Sequence, residues 1–258
     1  MFVRRLTTRL KEQHWTTIAI ELVIVIIGVF IGTQVSNWNE ARLERLQTQR
    51  MLNQLVPELD NQLAFFAFAR TYYATARDYA DRALAGWNGD PGVSDAQFVI
   101  DAYQASEIYG IGLAQNWGLA FGGQQLRDID DVRLRQHLAL VLTSNYDVVG
   151  VNAVDTPYRR DVRQIIPSAI QDQIRAHCGD RITENADVVN LYTLPTACPL
   201  SLDPAQARAT AAALRANRAL PGELNSHLAT VAVYLENAAG LEFQMQMLKR
   251  DLERRKRT

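Results

Sequence analysis

Apolar residues form one uninterrupted run near the N-terminus. The segment Thr16–Val35 holds twenty residues with a single charged side chain, Glu21. Twenty helical residues rise about 30 Å, which is the thickness of the hydrocarbon core of a bilayer. Trp15 and Trp38 flank the run, and indole rings favour the interface between membrane and water. The pattern predicts a transmembrane anchor helix over residues 15–38.

Helical periodicity continues beyond the anchor. Apolar residues recur mostly three or four positions apart, at Leu43, Leu46, Leu52, Leu55, Leu59, Leu63 and Phe66. This spacing predicts that the same helix continues as a stalk over residues 39–85. Pro57 lacks a backbone donor, so we expect a kink there rather than an end. The glycines and the proline of segment 86–92 predict the end of the stalk.

Residues 94–217 contain several further helical segments separated by turns. Ser94 or Asp95 is the expected cap of the first, and Asp203-Pro204 is a typical helix start. The acidic run Asp128-Ile129-Asp130-Asp131 has neither histidine nor calcium-loop spacing, so a helix start is the better interpretation than a metal site. No stretch shows the sustained alternation of strands. The sequence predicts an all-α fold, in which a bundle of about six helices follows the anchor and stalk.

Residues 221–257 predict a long return helix. Its expected inward positions are Leu224, Leu228, Val231, Leu235, Met245, Leu248 and Leu252. A long apolar stripe needs a partner of similar length, and the Leu43–Phe66 face of the stalk provides one. We therefore expect the two helices to pack antiparallel, with Leu252 near Arg42.

The predicted membrane helix carries a possible packing face. Gly28 and Gly32 form a G-x-x-x-G motif, and Glu21 lies on the same helical stripe. Small residues let two membrane helices approach closely, and an intramembrane carboxylate usually bonds to a neighbour. One interpretation is a homo-oligomer or a partner membrane protein packed on this face. The other is that Glu21 reaches the headgroups and the glycines are incidental.

Charge is distributed unevenly along the chain. Residues 1–14 carry +3 and residues 249–257 carry +4, so the net charge of -1 leaves -8 for the residues between them. An acidic centre argues against a nucleic-acid partner. The basic C-terminal cluster is suited to anionic membrane lipids. Its members are Lys249, Arg250, Arg254, Arg255, Lys256 and Arg257.

Two features predict the compartment. Lysine and arginine slightly favour the N-terminal side of the span, which indicates a cytoplasmic N-terminus. Cys178 and Cys198 lie in one loop-rich region, as a disulfide in an oxidising compartment would. The sequence thus predicts a single-pass protein of a bacterial inner membrane, with residues 39–258 in the periplasm. A cleaved signal peptide is the competing interpretation, but no A-x-A-like site follows the apolar run.

The N-terminal region resembles a known family. Glu21 precedes the apolar run, and Gln34-Val35-Ser36 leads into the motif Asn37-Trp38-Asn39-Glu40. This combination is similar to the N-terminal signature of a family of bacterial single-pass membrane proteins whose domain has no known function. The resemblance extends over about residues 15–150, through the Leu-rich helix and a segment like Gly123–Tyr146. It implies an anchored helical protein and carries no activity, cofactor or catalytic residue.

Catalytic motifs are absent from the sequence. The four histidines, His14, His137, His177 and His227, are scattered, and neither H-E-x-x-H nor G-x-S-x-G occurs. His177-Cys178 with Cys198 lacks an evident fourth zinc ligand. Arg159, Arg160 and Arg163 with Tyr158 could hold an anionic ligand, but a solvated face paired with Asp155 and Asp161 is the simpler interpretation. We therefore expect no catalytic residue, no metal and no cofactor.

Three functions are compatible with these patterns. The sequence favours a non-catalytic membrane-anchored scaffold or accessory subunit that binds a protein partner through helical surfaces. A ligand-sensing helical bundle is the second, and it would need a partner membrane protein for output. A hydrolase acting on envelope material, with a site built from scattered carboxylates, is the third.

Overall fold

A computed structural model describes residues 15–109, 126, 129–183 and 191–255. These residues form seven α-helices, two 3₁₀ turns and two short strands. The helices are α1 (Trp15–Trp87), α2 (Asp95–Gln104), α3 (Val132–Thr143), α4 (Pro157–Ile165), α5 (Ser168–Cys178), α6 (Pro204–Ala216) and α7 (Leu220–Arg255). The 3₁₀ turns are Tyr146–Val149 and Val151–Val154, and the strands are β1 (Arg181–Thr183) and β2 (Leu191–Thr193). The expectations for residues 1–14, the carboxylate of Asp128 and the side chains of Lys256 and Arg257 lie outside the described residues.

The predicted mostly helical fold, with one long apolar N-terminal helix, is confirmed. Two compact units divide the chain, residues 1–52 and residues 53–258. We call the second unit the body. Helix α1 passes from the first unit into the body without interruption, and Pro57 lies inside it.

Within the body, α1 buries a stripe of side chains at helical spacing. Its members include Leu55, Leu59, Phe66, Ala69, Tyr73, Ala76, Ala80 and Ala83, all at most 5% exposed. Each large apolar side chain buried in this way stabilises the fold by about 2 kcal/mol. The stripe follows from the spacing of apolar residues in the sequence, because residues three and four positions apart lie on one face of a helix.

Helix α7 runs antiparallel to the part of α1 that belongs to the body. Lys249 forms an ion pair with Asp60 at 2.5 Å, and the rings of Tyr234 and Tyr73 lie 5.2 Å apart. The residue number therefore rises along α1 as it falls along α7. The expected neighbour Arg42 belongs to the first unit, so its proximity to Leu252 stays a prediction.

Five of the seven predicted inward positions of α7 are buried, at Leu224, Val231, Met245, Leu248 and Leu252. The other two, Leu228 and Leu235, are only partly buried, whereas the neighbouring His227 and Tyr234 are 1% and 3% exposed. The choice of these two leucines was wrong because it assigned inward positions by hydrophobicity alone. The ring of Tyr234 instead contacts Tyr73 edge-on.

Several helix starts follow the capping chemistry of the sequence. The Ser94 side chain accepts a hydrogen bond from the amide of Gln97 and begins α2. Asp131 accepts from two amides and begins α3, so the acidic run is a helix start in its described part. Asp203 caps α6, with Pro204 at its first position. Such caps satisfy amides that have no partner inside the helix.

The segment between the two cysteines, which the sequence predicts to be loop-rich, contains two short strands. Strands β1 and β2 pair antiparallel there, with Ile182 opposite Tyr192. The strands have three residues each, too few to show an alternating pattern in the sequence.

Candidate functional site: an exposed apolar helix segment and a groove

The N-terminal part of α1 exposes a continuous apolar surface. Among the described residues, one helix is long and apolar enough to cross a membrane, and none of its most apolar 18-residue window is buried. Large side chains such as Ile24 and Phe30 are 63% and 61% exposed. Soluble proteins rarely expose contiguous apolar patches larger than a few hundred Å². The length, apolar composition and exposure of this segment are therefore those expected of a helix that lies in lipid.

The predicted packing residues all lie on this exposed helix. A side chain added at Gly28 or Gly32 would meet no atom within 4 Å, so the chain leaves the glycine face open. Glu21 is exposed on the same stripe, and Trp38 is 65% exposed at the end of the apolar run. Trp15 begins α1, but its side chain lies outside the described part. The oligomer interpretation and the incidental interpretation both stay predictions.

In the body, Arg163 organises a buried polar network. Its guanidinium forms an ion pair with Glu107 at 2.9 Å and donates to Ser106 and to the hydroxyl of Tyr103, each at 3.2 Å. It also lies 4.6 Å from the centre of the Tyr103 ring, a cation–π contact. Arg175 donates to the same hydroxyl at 2.9 Å. These contacts join α4 and α5 to α2 and the residues after it.

The network corrects the predicted role of the α4 arginines. Arg160 pairs with Asp155 at 3.5 Å on the surface, as the solvated-face interpretation predicted. Arg163 instead points inward, with 19% of its side chain exposed. Tyr158 is fully buried and donates to the carbonyl of Ala102 at 2.8 Å, so its hydroxyl is already occupied.

Burial changes the acid–base properties of the network. Loss of solvent raises the pKa of Glu107, and the positive charge of Arg163 opposes the shift without cancelling it. Loss of solvent also raises the pKa of Asp180, which accepts a hydrogen bond from Tyr72 at 2.7 Å. The Arg163–Glu107 pair holds α4 to the residues after α2, and the Tyr72–Asp180 bond holds α1 to the residues after α5.

His227 is a second buried polar group. Its Nδ1 lies 2.8 Å from the hydroxyl of Thr156, and its other side interacts with the backbone of Ala105. Burial, followed by the charge of Arg159, lowers the pKa of His227 to about 4. The imidazole is therefore neutral near pH 7 and acts as a hydrogen-bonding link between α7, the start of α4 and the end of α2.

Cys178 and Cys198 form a disulfide with a Cα–Cα distance of 5.3 Å, in agreement with the sequence expectation. The linked segment is bound to the helices by hydrogen bonds. Gln104 Nε2 donates to the carbonyl of Cys178 and Tyr79 donates to the carbonyl of Pro195, each at 2.7 Å. The disulfide thus joins the end of α5 to the residues after β2, and the two hydrogen bonds hold these ends to α2 and α1.

The described part of the basic C-terminal cluster is largely paired within the chain. Lys249 bonds to Asp60 and lies 3.6 Å from Glu253. Arg254 pairs with Asp251 at 3.4 Å, and Asp251 also lies 2.5 Å from His137 Nδ1. Arg250 donates to the carbonyl of Gln246, and Arg255 also makes an interaction. Among the contacts given for Lys249, Arg250 and Arg254, only the Lys249–Asp60 pair joins a basic residue of the cluster to another helix, and the others lie within α7.

A groove of about 430 Å³ opens beside α7. Most of its surface is apolar and comes from Val148, Ala153, Ala229, Val233 and Tyr234. Thr230 and Asn237 contribute the polar part. Val233 is 56% exposed and Val148 is 37% exposed, so solvent reaches the apolar floor. No lining residue carries a charge.

The groove was not predicted from the sequence. Its walls come from the two 3₁₀ turns and from the outer face of α7, about eighty residues further along the chain. The one local signal was Val233, a large apolar residue outside the inward positions of α7. Within the described ranges, no group of three or more His, Cys, Asp or Glu residues could hold a metal ion.

No protein-family model, curated protein or solved structure matches this chain. The resemblance to the family of bacterial single-pass membrane proteins therefore stays a prediction.

Proposed function

We propose that the chain is a non-catalytic membrane-anchored scaffold or accessory subunit that binds a protein partner through helical surfaces of its body. The observation that carries this proposal is the exposed apolar window of α1, which continues as the core helix of the body. Such a helix ties a folded domain to the membrane through a single continuous element. The exposed groove beside α7 offers a surface for a partner.

The orientation belongs to the same proposal. We place the N-terminus in the cytoplasm and the body in the periplasm of a bacterium. The Cys178–Cys198 disulfide supports an oxidising compartment, because disulfides are rare in the reducing cytoplasm. Lipids surround the anchor, and the open Gly28–Gly32 face would accommodate a second copy or a partner membrane helix.

Copurification tests the proposal. Cells expressing the tagged full chain are crosslinked and extracted in a mild detergent, and bound proteins are quantified by mass spectrometry. We expect one partner in reproducible stoichiometry. A matched control carries the anchor of an unrelated single-pass protein in place of residues 15–38, so that partners bound through the body are retained. A thermal shift of the body with small molecules, without any stoichiometric protein partner, would favour the ligand-sensing alternative.

A further inference from the structure

We infer that the groove beside α7 binds a basic amphipathic segment of a partner protein, with an apolar side chain in the groove and lysine or arginine around it. This inference names the surface and the partner chemistry of the proposed scaffold and rests on that proposal.

The floor of the groove selects an apolar side chain. Val148 and Val233 together present a half-exposed apolar surface, and the polar lining residues Thr230 and Asn237 are neutral. A volume of about 430 Å³ exceeds one leucine or phenylalanine side chain and lies in the usual range for binding pockets. Anchoring side chains in such pockets commonly dominate the energy of an interface.

The rim of the groove selects positive charge. Asp147 precedes Val148 and is exposed, and Glu236 precedes Asn237 and is exposed. No ion pair with a described residue involves either carboxylate. Helix α7 carries no lysine or arginine before Lys249. The two acidic residues next to the groove are therefore available to complement a basic partner, and like charges there would repel an acidic one.

Most of the other acidic residues on α7 are paired. Glu242, Asp251 and Glu253 each form an ion pair, with Arg70, His137 and Lys249 respectively. Glu223, Glu236 and Asp147 form no ion pair with a described residue. Of these three, Glu236 and Asp147 are next in the chain to residues that line the groove.

The test uses the full chain in nanodiscs of zwitterionic lipid. The probe is a fluorescent 14-residue helical peptide of leucine and lysine, and the comparison peptide has glutamate in place of lysine. Binding is measured by fluorescence anisotropy, and the signal of empty nanodiscs is subtracted. We expect the lysine peptide to bind and the glutamate peptide to bind at least about tenfold more weakly.

Two variants and a control locate the binding. Val233→Lys removes an apolar side chain from the groove, places a positive charge there and should weaken the lysine peptide by about tenfold or more. The double variant Asp147→Asn/Glu236→Gln leaves the floor intact and should weaken it several-fold while reducing the salt dependence. Phe243→Lys is the control, because Phe243 is 60% exposed on α7 but does not line the groove. It should bind as the wild type does.

Equal affinity of the wild type and both groove variants would overturn the inference, as would equal binding of the two peptides. The double variant keeps the test decisive if Val233→Lys unfolds, which circular dichroism detects. The scaffold proposal is separable from this one. A partner that copurifies equally with wild type and Val233→Lys contradicts the groove assignment and leaves the scaffold proposal intact, whereas absence of any partner of the wild type contradicts the scaffold.

Discussion

Acid should weaken the body through His227. The group has a folded pKa of about 4, below the value of about 6.5 for an exposed histidine. At pH values between these two pKa values, His227 therefore binds a proton in the unfolded chain and not in the folded chain. The stabilisation from a neutral His227 is complete above pH 6.5 and is lost as the pH falls toward 4.

The magnitude follows from the two pKa values. Between pH 7 and pH 5, linkage predicts that this one histidine lowers the free energy of unfolding by about 2 kcal/mol. The physical cause is burial at 1% exposure, since a charged imidazole would lose its solvent and face Arg159. The neutral ring keeps its bond to Thr156.

The assay compares the full chain with His227→Asn in a nonionic detergent. Urea unfolding at pH 7 and pH 5 is followed by far-UV circular dichroism. The variant should be less stable at pH 7 because its shorter side chain leaves a cavity and loses hydrogen bonds. Its additional loss at pH 5 should be about 2 kcal/mol smaller than that of the wild type.

Other buried acids do not confuse this comparison. The raised pKa values of Glu107 and Asp180 make the folded state gain protons first, so acid stabilises it through these groups. Both terms are present in the wild type and in the variant, so the difference between the two proteins isolates His227. Identical pH responses of wild type and His227→Asn would refute the reasoning.

Three further predictions address other parts of the chain. Intact-mass analysis after alkylation without reductant should detect no free thiol, and two alkylated cysteines in the wild type would contradict the disulfide. Replacing Cys178 and Cys198 by serine should lower the free energy of unfolding by about 3 kcal/mol. In urea unfolding, Arg163→Met should lower the free energy of unfolding by about 3 kcal/mol, and adding Glu107→Gln should restore part of this loss. Additive losses from the two substitutions would contradict an interaction between Arg163 and Glu107. Ile27→Arg should reduce membrane retention after carbonate extraction, because arginine at the centre of a span costs about 3 kcal/mol, and unchanged retention would contradict the anchor.

Local signals predicted the features that depend on neighbouring residues. The caps Ser94, Asp131 and Asp203 act within their own first turns, so the sequence identifies them directly. Pro167 separates α4 from α5 because it disfavours a helical residue before it. The apolar run of α1 is equally local, since its length alone matches a bilayer.

Features that depend on distant contacts were not predictable in the same way. Arg163 and Glu107 are 56 residues apart, and only the packing of α4 near the end of α2 brings them together. Hydrophobic periodicity placed Leu228 inward, whereas the hydrogen bond to Thr156 places His227 there. A buried polar residue is stable when its partners are present, and those partners are invisible along the chain.

The charges of α7 are unevenly distributed along the helix: all basic residues lie in its last two turns, and only acidic residues precede them. Its only lysine and arginines lie at the C-terminal end, where the negative end of the helix dipole and the carboxylates of Asp60 and Asp251 stabilise them. Lys249 is 28% exposed and its charge is paired with Asp60 inside the body, whereas Arg254 is 63% exposed and pairs only within its own helix. The membrane role of the basic cluster stays a prediction. The preceding part of α7, about eight turns, carries only negative charge, and its inner face builds the core. Its outer face holds the groove, so the partner that we propose would approach the part of α7 where no basic side chain opposes it.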